Sequence, residues 1–404
     1  MENNLYLKEV SLSGYKSIID VNVEFQNGIN IIIGKNAAGK TNFLNFLNKS
    51  LSLNYDELNN FYSNLKLQNG KEISIESKNT LSIKELFNNS NISQKVESTL
   101  KISKKTIRIN KDSTENSLLK KLRDNDVIFE NNFICHGIPS NYLLIDKPFS
   151  FKIDKENKIV NDLYNLVSES SNPYFIKSTL LKLLVSIMNN NNLHENFSVE
   201  NIKQSFFQVF ENIEEIKSIL KKYSPIEDIK FSDNFNVFIN DSKDSITTNN
   251  LFLEFKIDGD WLPYSNLSDG TKRIFYIISE VYDINNDTNL WMTNTGLFYS
   301  QKPVNRIILI EEPELGIHPH QFHKLMEFLN EESQKKQIII TTHSPQALDS
   351  INPNELNRIT IAYSTNSKEG TKLRHLNENE ILKANEYIKE DFLSDYWLYS
   401  DLEK

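Results

Sequence analysis

Residues 34–41 constrain this chain more than any other segment, because they read GKNAAGKT. This run matches the pattern G-x-x-x-x-G-K-[ST], in which a glycine-rich loop turns its backbone N–H groups toward phosphate oxygens. The apolar run Ile29–Ile33 before the loop predicts a short buried strand, and residues 42–47 place apolar side chains at helical spacing after it. A strand, a glycine loop and a helix N-terminus together predict a site for a nucleoside triphosphate.

The residue types within this loop predict separate roles. Lys40 is predicted to reach the β- and γ-phosphates and to act in catalysis, and Thr41 Oγ1 is predicted to ligate Mg²⁺. The predicted cofactors are ATP and Mg²⁺. The predicted nucleotide-binding residues in and beside the loop are Gly34, Asn36, Ala37, Ala38, Gly39, Lys40, Thr41 and Asn42.

Composition narrows the class of protein. The chain has 404 residues, a formal net charge of -9 and the single cysteine Cys135. One cysteine excludes an internal disulfide framework and suits a reducing compartment. The N-terminus lacks a basic segment followed by an apolar one, and no apolar run reaches the roughly 18 residues that a membrane helix needs. We therefore expect a cytoplasmic protein with no membrane contact.

A second acidic motif lies far downstream of the loop. Residues 306–314 read RIILIEEPE, a pattern typical of a buried parallel strand that ends in carboxylates. An aspartate is usual at the first acidic position of such a motif. Because glutamate is longer by one methylene group, Glu311 is predicted to orient Mg²⁺ through a water molecule. Glu312 is predicted to be the general base that polarises the attacking water. Taken alone, the run could be an acidic loop after a strand, but beside a phosphate-binding loop it favours a catalytic pair.

Two further motifs flank this strand in the sequence. Residues 338–345 read IIITTHSP, a second apolar strand that ends in His343, which is predicted to hydrogen-bond the γ-phosphate or the attacking water. Residues 267–273 read LSDGTKR and open an apolar helix. Ser268 is a good N-cap residue, and Ser268 with Gly270 predicts a second anion site at a helix N-terminus. The alternative for this stretch is a plain capped helix.

These motifs occur in an order that resembles the ABC-type ATPases of the SMC/RecF group. The motifs LSDG, EEPE and THSP are most similar to those in the ATPase domains of the OLD (overcoming lysogenization defect) family and of related phage-defence ATPases. The resemblance implies an α/β fold with an ABC-type P-loop NTPase core, an antiparallel β subdomain and a helical insertion. It also implies that two protomers enclose two ATP molecules head to tail. The phosphate-binding loop (P-loop, residues 34–41) of one protomer would face Ser268 and Gly270 of the other. The loop 313–319 would cross that interface.

The predicted domain organisation has three parts. Residues 1–155 are predicted to form the N-terminal half of the ATPase domain with its β subdomain, and 156–225 a helical insertion with amphipathic spacing. Residues 226–404 are predicted to form the C-terminal half, with an Asp-Gly hairpin turn and a short acidic and aromatic tail. That tail, residues 387–404, is either a docking segment or a part of its own domain.

The sequence departs from the resemblance at several points. Asp269 replaces a glycine of the commoner signature, residues 282–303 form an unassigned insertion, and no glutamine loop can be placed. OLD nucleases continue into a Toprim nuclease domain, whereas only 59 residues (404 minus 345) follow Pro345 here, without an Asp-x-Asp pair. We therefore expect an ATPase that lacks its own nuclease.

The predicted function follows from these features. The chain is expected to be an ATPase with slow turnover that dimerises, or forms a higher oligomer, and controls a separate effector protein, a nuclease, in antiviral defence. One alternative is a RecF/SMC-like DNA-binding ATPase of DNA repair or maintenance, and another is a nucleotide-gated scaffold with little turnover. The locally basic stretch 95–123 could contact DNA, although such a run is also typical of a solvated face.

Overall fold

The structure is a computed structural model, and it divides into two compact units. The first unit comprises 1–139, 302–313 and 329–404, and the second comprises 140–301 and 314–328. The described residues are 5–51, 61–70, 72–80, 95–102, 105–110, 133–138, 149–154, 159–160, 199–200, 214–239, 245–282, 289–293, 296–300, 305–364, 369–400 and 402.

The strands are numbered in chain order. They are β1 (Leu7–Tyr15), β2 (Ile18–Glu24), β3 (Ile29–Ile33), β4 (Phe61–Leu67), β5 (Glu72–Thr80), β6 (Lys95–Ile102), β7 (Lys105–Asn110), β8 (Phe133–Ile138), β9 (Phe149–Asp154), β10 (Ile159–Val160), β11 (Asp228–Phe231), β12 (Asn236–Ile239), β13 (Ser245–Leu251), β14 (Leu253–Ile257), β15 (Asp260–Pro263), β16 (Asn289–Thr293), β17 (Gly296–Ser300), β18 (Asn305–Glu311), β19 (Gln337–Thr342), β20 (Ile359–Tyr363) and β21 (Lys372–His375).

The described α-helices are numbered in the same way. They are α1 (Lys40–Leu51), α2 (Glu214–Tyr223), α3 (Asp269–Val281), α4 (Pro319–Ser333), α5 (Glu378–Tyr387) and α6 (Leu393–Tyr399). Short 3₁₀ helices span Tyr264–Asn266, Pro345–Ser350 and Pro353–Arg358.

A six-stranded sheet of order β21-β20-β3-β19-β18-β8 forms the centre of the first unit. All neighbouring pairs are parallel except β20 with β21. Every residue of β3 is buried, and so is every residue of β19. Strands that are buried on both faces read as continuous apolar runs, which is why these segments lack the alternation of a surface strand.

An antiparallel sheet of order β2-β1-β4-β5-β6-β7 belongs to the same unit. It shares one apolar core with α1 and with one face of the parallel sheet, and Leu12, Phe43 and Leu309 are among its members. Aromatic rings fill part of this core, with the Tyr15 and Phe46 centroids 5.4 Å apart. The core fixes helix α1, and therefore the loop that precedes it, above the parallel sheet.

The second unit has two smaller antiparallel sheets, of order β10-β9-β13-β12 and β11-β14-β15. The turn between β14 and β15 has positive φ at Asp258 (51°) and Gly259 (87°), which confirms the hairpin predicted from this Asp-Gly pair. Helix α3 packs in this unit through Phe275, whose ring lies 4.8 Å from that of Phe255. The unassigned insertion 282–303 contains an antiparallel hairpin, β16 with β17.

The predicted α/β fold class is confirmed. The three-part division at 155 and 225 stays a prediction, because most of 161–213, which falls within the predicted helical insertion, lies outside the described residues. In the basic stretch 95–123, β6 and β7 are described as backbone, and the remainder lies outside the described residues. No helix in the described part of the chain combines the length and the apolar character needed to cross a membrane.

The tail packs on its own unit through part of its apolar residues. Leu393, Trp397 and Leu402 are buried, and Ser394 N donates a hydrogen bond to Asp349 Oδ1 at 2.9 Å. A second set of apolar side chains in the tail is exposed, namely Phe392, Leu398 and Tyr399. Intramolecular packing of the tail is therefore real, and a docking role for its outer face stays a prediction.

Candidate functional site: a P-loop beside a Glu–His pair

The loop 34–39 leaves β3 and enters α1 between two close neighbours, the backbone of Ala362 and the side chain of Thr371. A β carbon at Gly34 would collide with the carbonyl oxygen of Ala362 on β20. A β carbon at Gly39, whose φ is +92°, would collide with the side chain of Thr371. The motif explains these glycines by phosphate access, and the structure adds that neither position has room for a single further carbon.

The backbone of the loop is curved as anion-binding loops are. Ala37 has a φ of 65°, a left-handed conformation that only a small share of non-glycine residues adopt. The Ala38 N–H donates to Lys35 O at 3.2 Å, which closes the loop on itself. Successive peptide units with alternating handedness turn their N–H groups to one side, and such concave backbone binds phosphate oxygens.

Lys40 holds its ammonium group inside the loop. The side chain is only 5% exposed, and Nζ donates hydrogen bonds to Gly34 O at 2.6 Å and to Lys35 O at 3.0 Å. These two carbonyls satisfy a buried cation that would otherwise be costly. The charge is thereby pre-positioned at the loop that is predicted to take phosphates.

The order of the parallel strands brings three motifs to one edge of the sheet. Strand β19 lies between β3 and β18, so the carboxyl ends of all three strands are neighbours. The loop 34–39, Glu311 with Glu312, and His343 follow these ends. Ligands of open α/β sheets bind at the carboxyl ends of the strands.

Glu312 has a strained backbone and lies near His343. Its φ of 44° is left-handed, and its N–H donates to Thr341 O at 2.7 Å, which fixes the turn. Glu312 Oε1 lies 3.7 Å from His343 Nδ1, too far for a hydrogen bond but close enough for both to act on one small molecule. Non-glycine residues in this conformation concentrate at active sites, where the surrounding structure holds them in place.

The residues predicted to hold Mg²⁺ offer the donors that this ion prefers. Thr41 lies in the first turn of α1, Glu311 is 8% exposed at the end of β18, and α1 packs against β18. A hydroxyl and a carboxylate are hard oxygen ligands, and Mg²⁺ is usually bound by one or two carboxylates together with phosphates and water. The donor set therefore fits Mg²⁺ with a nucleotide. In the described part of the chain, no group of three or more His, Cys, Asp or Glu side chains is placed to hold a metal.

A network of hydrogen bonds among hydroxyl and amide groups supports the loop. The sequence motifs do not reveal this network. Asn42 Nδ2 donates to Ser17 Oγ at 2.9 Å, and Ser17 Oγ lies 2.8 Å from Thr371 Oγ1. The Thr371 N–H donates to Ser17 O at 2.8 Å, and Thr371 is 1% exposed. Three segments that are remote in sequence thus meet at Gly39. No sequence signal marks Thr371.

Helix α3 (Asp269–Val281), called the signature helix because it begins within the LSDG motif, belongs to the second unit and is capped as its sequence predicts. Ser268 Oγ accepts a hydrogen bond from Thr271 N at 3.2 Å. The side chain of Asp269 is 96% exposed, so it turns outward at the start of α3. Gly270 is buried, and a β carbon there would lie 2.5 Å from Gly316 O. This glycine therefore permits α3 to pack closely against the loop that follows the EEPE motif.

Comparisons with known proteins identify the family of this chain and several similar proteins. The family model described as "AAA domain, putative AbiEii toxin, Type IV TA system" matches residues 29–349, which is more than half of the chain. "Retron Vc95 probable ATPase" from Vibrio cholerae serotype O1 biovar El Tor is 23% identical over 398 residues, covering 87% of this chain and 72% of that protein. "DNA replication and repair protein RecF" from Pediococcus pentosaceus is 48% identical over 40 residues, which cover 10% of this chain and 11% of RecF.

Solved structures of SMC heads are also similar to this chain. An SMC head bound to the C-terminal winged-helix domain of ScpA has a TM-score of 0.45 at 14% identity, covering 93% of this chain and 99% of its own. The SMC head domain from Thermotoga maritima has a TM-score of 0.44 at 13% identity, covering 92% of this chain and 99% of its own.

Proposed function

The chain belongs to the family described as "AAA domain, putative AbiEii toxin, Type IV TA system", and from that membership we propose that it is an ATPase subunit that pairs around ATP and controls a separate effector. The observation that carries the ATPase proposal is the strained Glu312 beside His343, at the strand end that adjoins the P-loop. The chain's relatives, its P-loop and its acid pair support the same chemistry.

The proposed reaction is the hydrolysis of ATP. Glu312 takes a proton from a water molecule whose oxygen attacks the γ-phosphorus, and the bond from that phosphorus to the bridging oxygen of ADP breaks. His343 hydrogen-bonds the γ-phosphate, and Lys40 offsets its negative charge. Thr41 and Glu311 would hold Mg²⁺, which would supply further charge neutralisation.

Glu312→Gln tests the general base. We expect the variant to bind ATP like the wild type and to hydrolyse it at least about 100-fold more slowly, the usual contribution of a general base. Glu327→Gln is the matched control, since Glu327 also lies near a histidine, with Oε1 3.4 Å from His323 Nε2, on the exposed face of α4. Wild-type turnover in Glu312→Gln, measured as phosphate release, would exclude Glu312 as the base.

Pairing around ATP is proposed from the signature helix. Its N-terminus is exposed at Ser268 and Asp269, so a partner's nucleotide could reach it. Such a site would be completed in trans. Ser268→Arg should keep ATP binding and abolish hydrolysis, whereas Ser268→Thr, which keeps the N-cap hydroxyl, should stay active.

Mixing two inactive variants separates pairing from a local defect. Lys40→Ala removes the phosphate countercharge of one protomer, and Ser268→Arg blocks the signature of the other. A mixed dimer retains one intact site, so partial activity should return on mixing. If mixed dimers form and no activity returns at any ratio, the proposed trans site is wrong or both sites must act together.

Control of a separate nuclease in antiviral defence is the further part of the proposal. A relative whose name assigns it to a retron, and a family description that names a toxin, support this role. The purified chain should hydrolyse ATP and leave DNA and RNA intact, and protection of cells should require a second protein encoded beside it. Cleavage of nucleic acid by the isolated chain, persisting in Lys40→Ala, would contradict the proposal. Assignment to the OLD family and a cytoplasmic location stay predictions.

A DNA-maintenance role is the second candidate, because a RecF protein shares 48% identity over 40 residues. It predicts ATP-dependent DNA binding by the chain alone, with an affinity that falls steeply as salt rises. Measuring DNA binding with and without ATP, in parallel with cell protection, distinguishes the two roles. A scaffold with little turnover would instead bind ATP and show no difference in phosphate release between wild type and Glu312→Gln.

A further inference from the structure

Thr341 lies on β19 between the two predicted ligands of the metal. In the parallel ladder it pairs with Glu311 of β18 on one side and with Ile32 of β3 on the other. Side chains at paired positions of adjacent strands project from the same face of a sheet. Ile32 contributes to the apolar core that α1 shares, so Thr341 and Glu311 also project toward the face on which α1 lies.

The hydroxyl of Thr341 is buried without a hydrogen-bond partner. Thr341 is 0% exposed, and its Oγ1 makes no hydrogen bond with any residue that the structure describes. Valine would fill the same volume without burying a polar atom. A buried polar group of this kind in a native structure calls for an explanation, such as a water molecule or an ion.

The neighbours of this hydroxyl indicate what it binds. Glu311 is adjacent across the ladder, and α1, whose first turn contains Thr41, packs against β19 as well as β18. Mg²⁺ keeps several of its water molecules when proteins bind it. We propose that Thr341 is a positioning residue of the metal site, whose hydroxyl hydrogen-bonds a water molecule of the hydrated Mg²⁺ that Glu311 and Thr41 hold. This inference rests on the proposed ATPase function.

Metal affinity, measured apart from turnover, tests the proposal. Mn²⁺ serves as a probe, with its binding followed by electron paramagnetic resonance in the presence of a non-hydrolysable ATP analogue. Thr341→Val should weaken Mn²⁺ binding about 10-fold or more, the usual effect of losing a group that orients a metal ligand. Its affinity for the nucleotide in EDTA should stay within about twofold of the wild type, whereas a change in packing would alter both affinities.

Two further variants complete the test. Thr341→Ser restores the hydroxyl and should restore Mn²⁺ affinity. Ser63→Ala is the matched control, because Ser63 Oγ is also buried without a hydrogen-bond partner in the described chain, on β4 of the antiparallel sheet. It should leave Mn²⁺ affinity unchanged.

The possible results separate this proposal from the ATPase proposal. If the wild type binds nucleotide and Mn²⁺, and Thr341→Val binds Mn²⁺ equally well, the role of Thr341 is refuted and the ATPase proposal stands. If Thr341→Ser is as weak as Thr341→Val, the hydroxyl is not the group responsible and the proposal also fails. A wild-type chain that binds no nucleotide would refute both.

Discussion

Gly39→Ala perturbs the loop at its tightest contact. Gly39 has a φ of +92°, and a β carbon there would collide with Thr371, which is 1% exposed and cannot swing into solvent. Left-handed backbone costs an alanine about 1–2 kcal/mol. Overpacking a well-packed site adds about 1–3 kcal/mol, so the total is about 2–5 kcal/mol.

Gly70→Ala is the control that isolates the backbone cost. Gly70 has a φ of +77°, but no atom lies within 4 Å of the position its β carbon would take. This variant should therefore lose only the backbone part, about 1–2 kcal/mol of unfolding free energy. The difference between the two variants measures the collision with Thr371.

The assay combines urea unfolding with ATP binding. If the loop in Gly39→Ala stays in place, the cost appears in the free energy of unfolding. If the loop moves to relieve the collision, the cost appears as weaker ATP binding, with about 1.4 kcal/mol for each tenfold loss of affinity. In the double variant with Thr371→Ala, which removes the nearest side-chain atom, part of the loss should be recovered, since residues in contact do not act additively.

One result would refute this reasoning. If Gly39→Ala unfolded like Gly70→Ala and bound ATP like the wild type, the close approach of Thr371 to the loop would not exist in solution. The explanation of Gly39 by packing would then fail, and only its role in phosphate access would remain.

Three further predictions concern hydrogen bonds and charge in the first unit. Thr371→Val keeps the shape of the side chain but removes the hydroxyl that lies 2.8 Å from Ser17 Oγ, so ATP affinity should fall about fivefold. Thr371→Ser keeps the hydroxyl and should bind ATP normally, and equal affinities in the two variants would contradict the network. Lys336→Met removes the partner 2.7 Å from Glu332, with both side chains 7% exposed, and should cost near the lower end of about 3–5 kcal/mol in urea unfolding because Lys335 remains. Burial alone would raise the pKa of Glu332, but Lys336 and Lys335 outweigh burial and lower this pKa below its ordinary value of 4.5. The stability that Glu332 contributes is therefore complete above pH 4.5 and is lost as the pH falls through the folded-state pKa. The difference in unfolding free energy between the wild type and Lys336→Met should accordingly shrink in acid.

The sequence by itself determined which residues are proposed to carry the chemistry. A largely apolar segment precedes loop 34–41, the pair Glu311 and Glu312, and His343, and such a segment indicates a buried strand that delivers its next residues to one edge of a sheet. Ser268 as an N-cap and the Asp-Gly hairpin were likewise local signals, because both depend on the backbone within a few residues. Local periodicity and turn chemistry were sufficient to predict these strands, the helix N-cap and the hairpin turn.

Only the tertiary structure decided how these parts meet. The sequence does not state that β19 separates β3 from β18, and this strand order is what sets His343 near Glu312 and Thr341 beside Glu311. It also gives no sign that Thr371 reaches Gly39 across more than three hundred residues of chain. Close packing between remote segments depends on the whole folded core, whereas motifs and periodicity report only on neighbours along the chain.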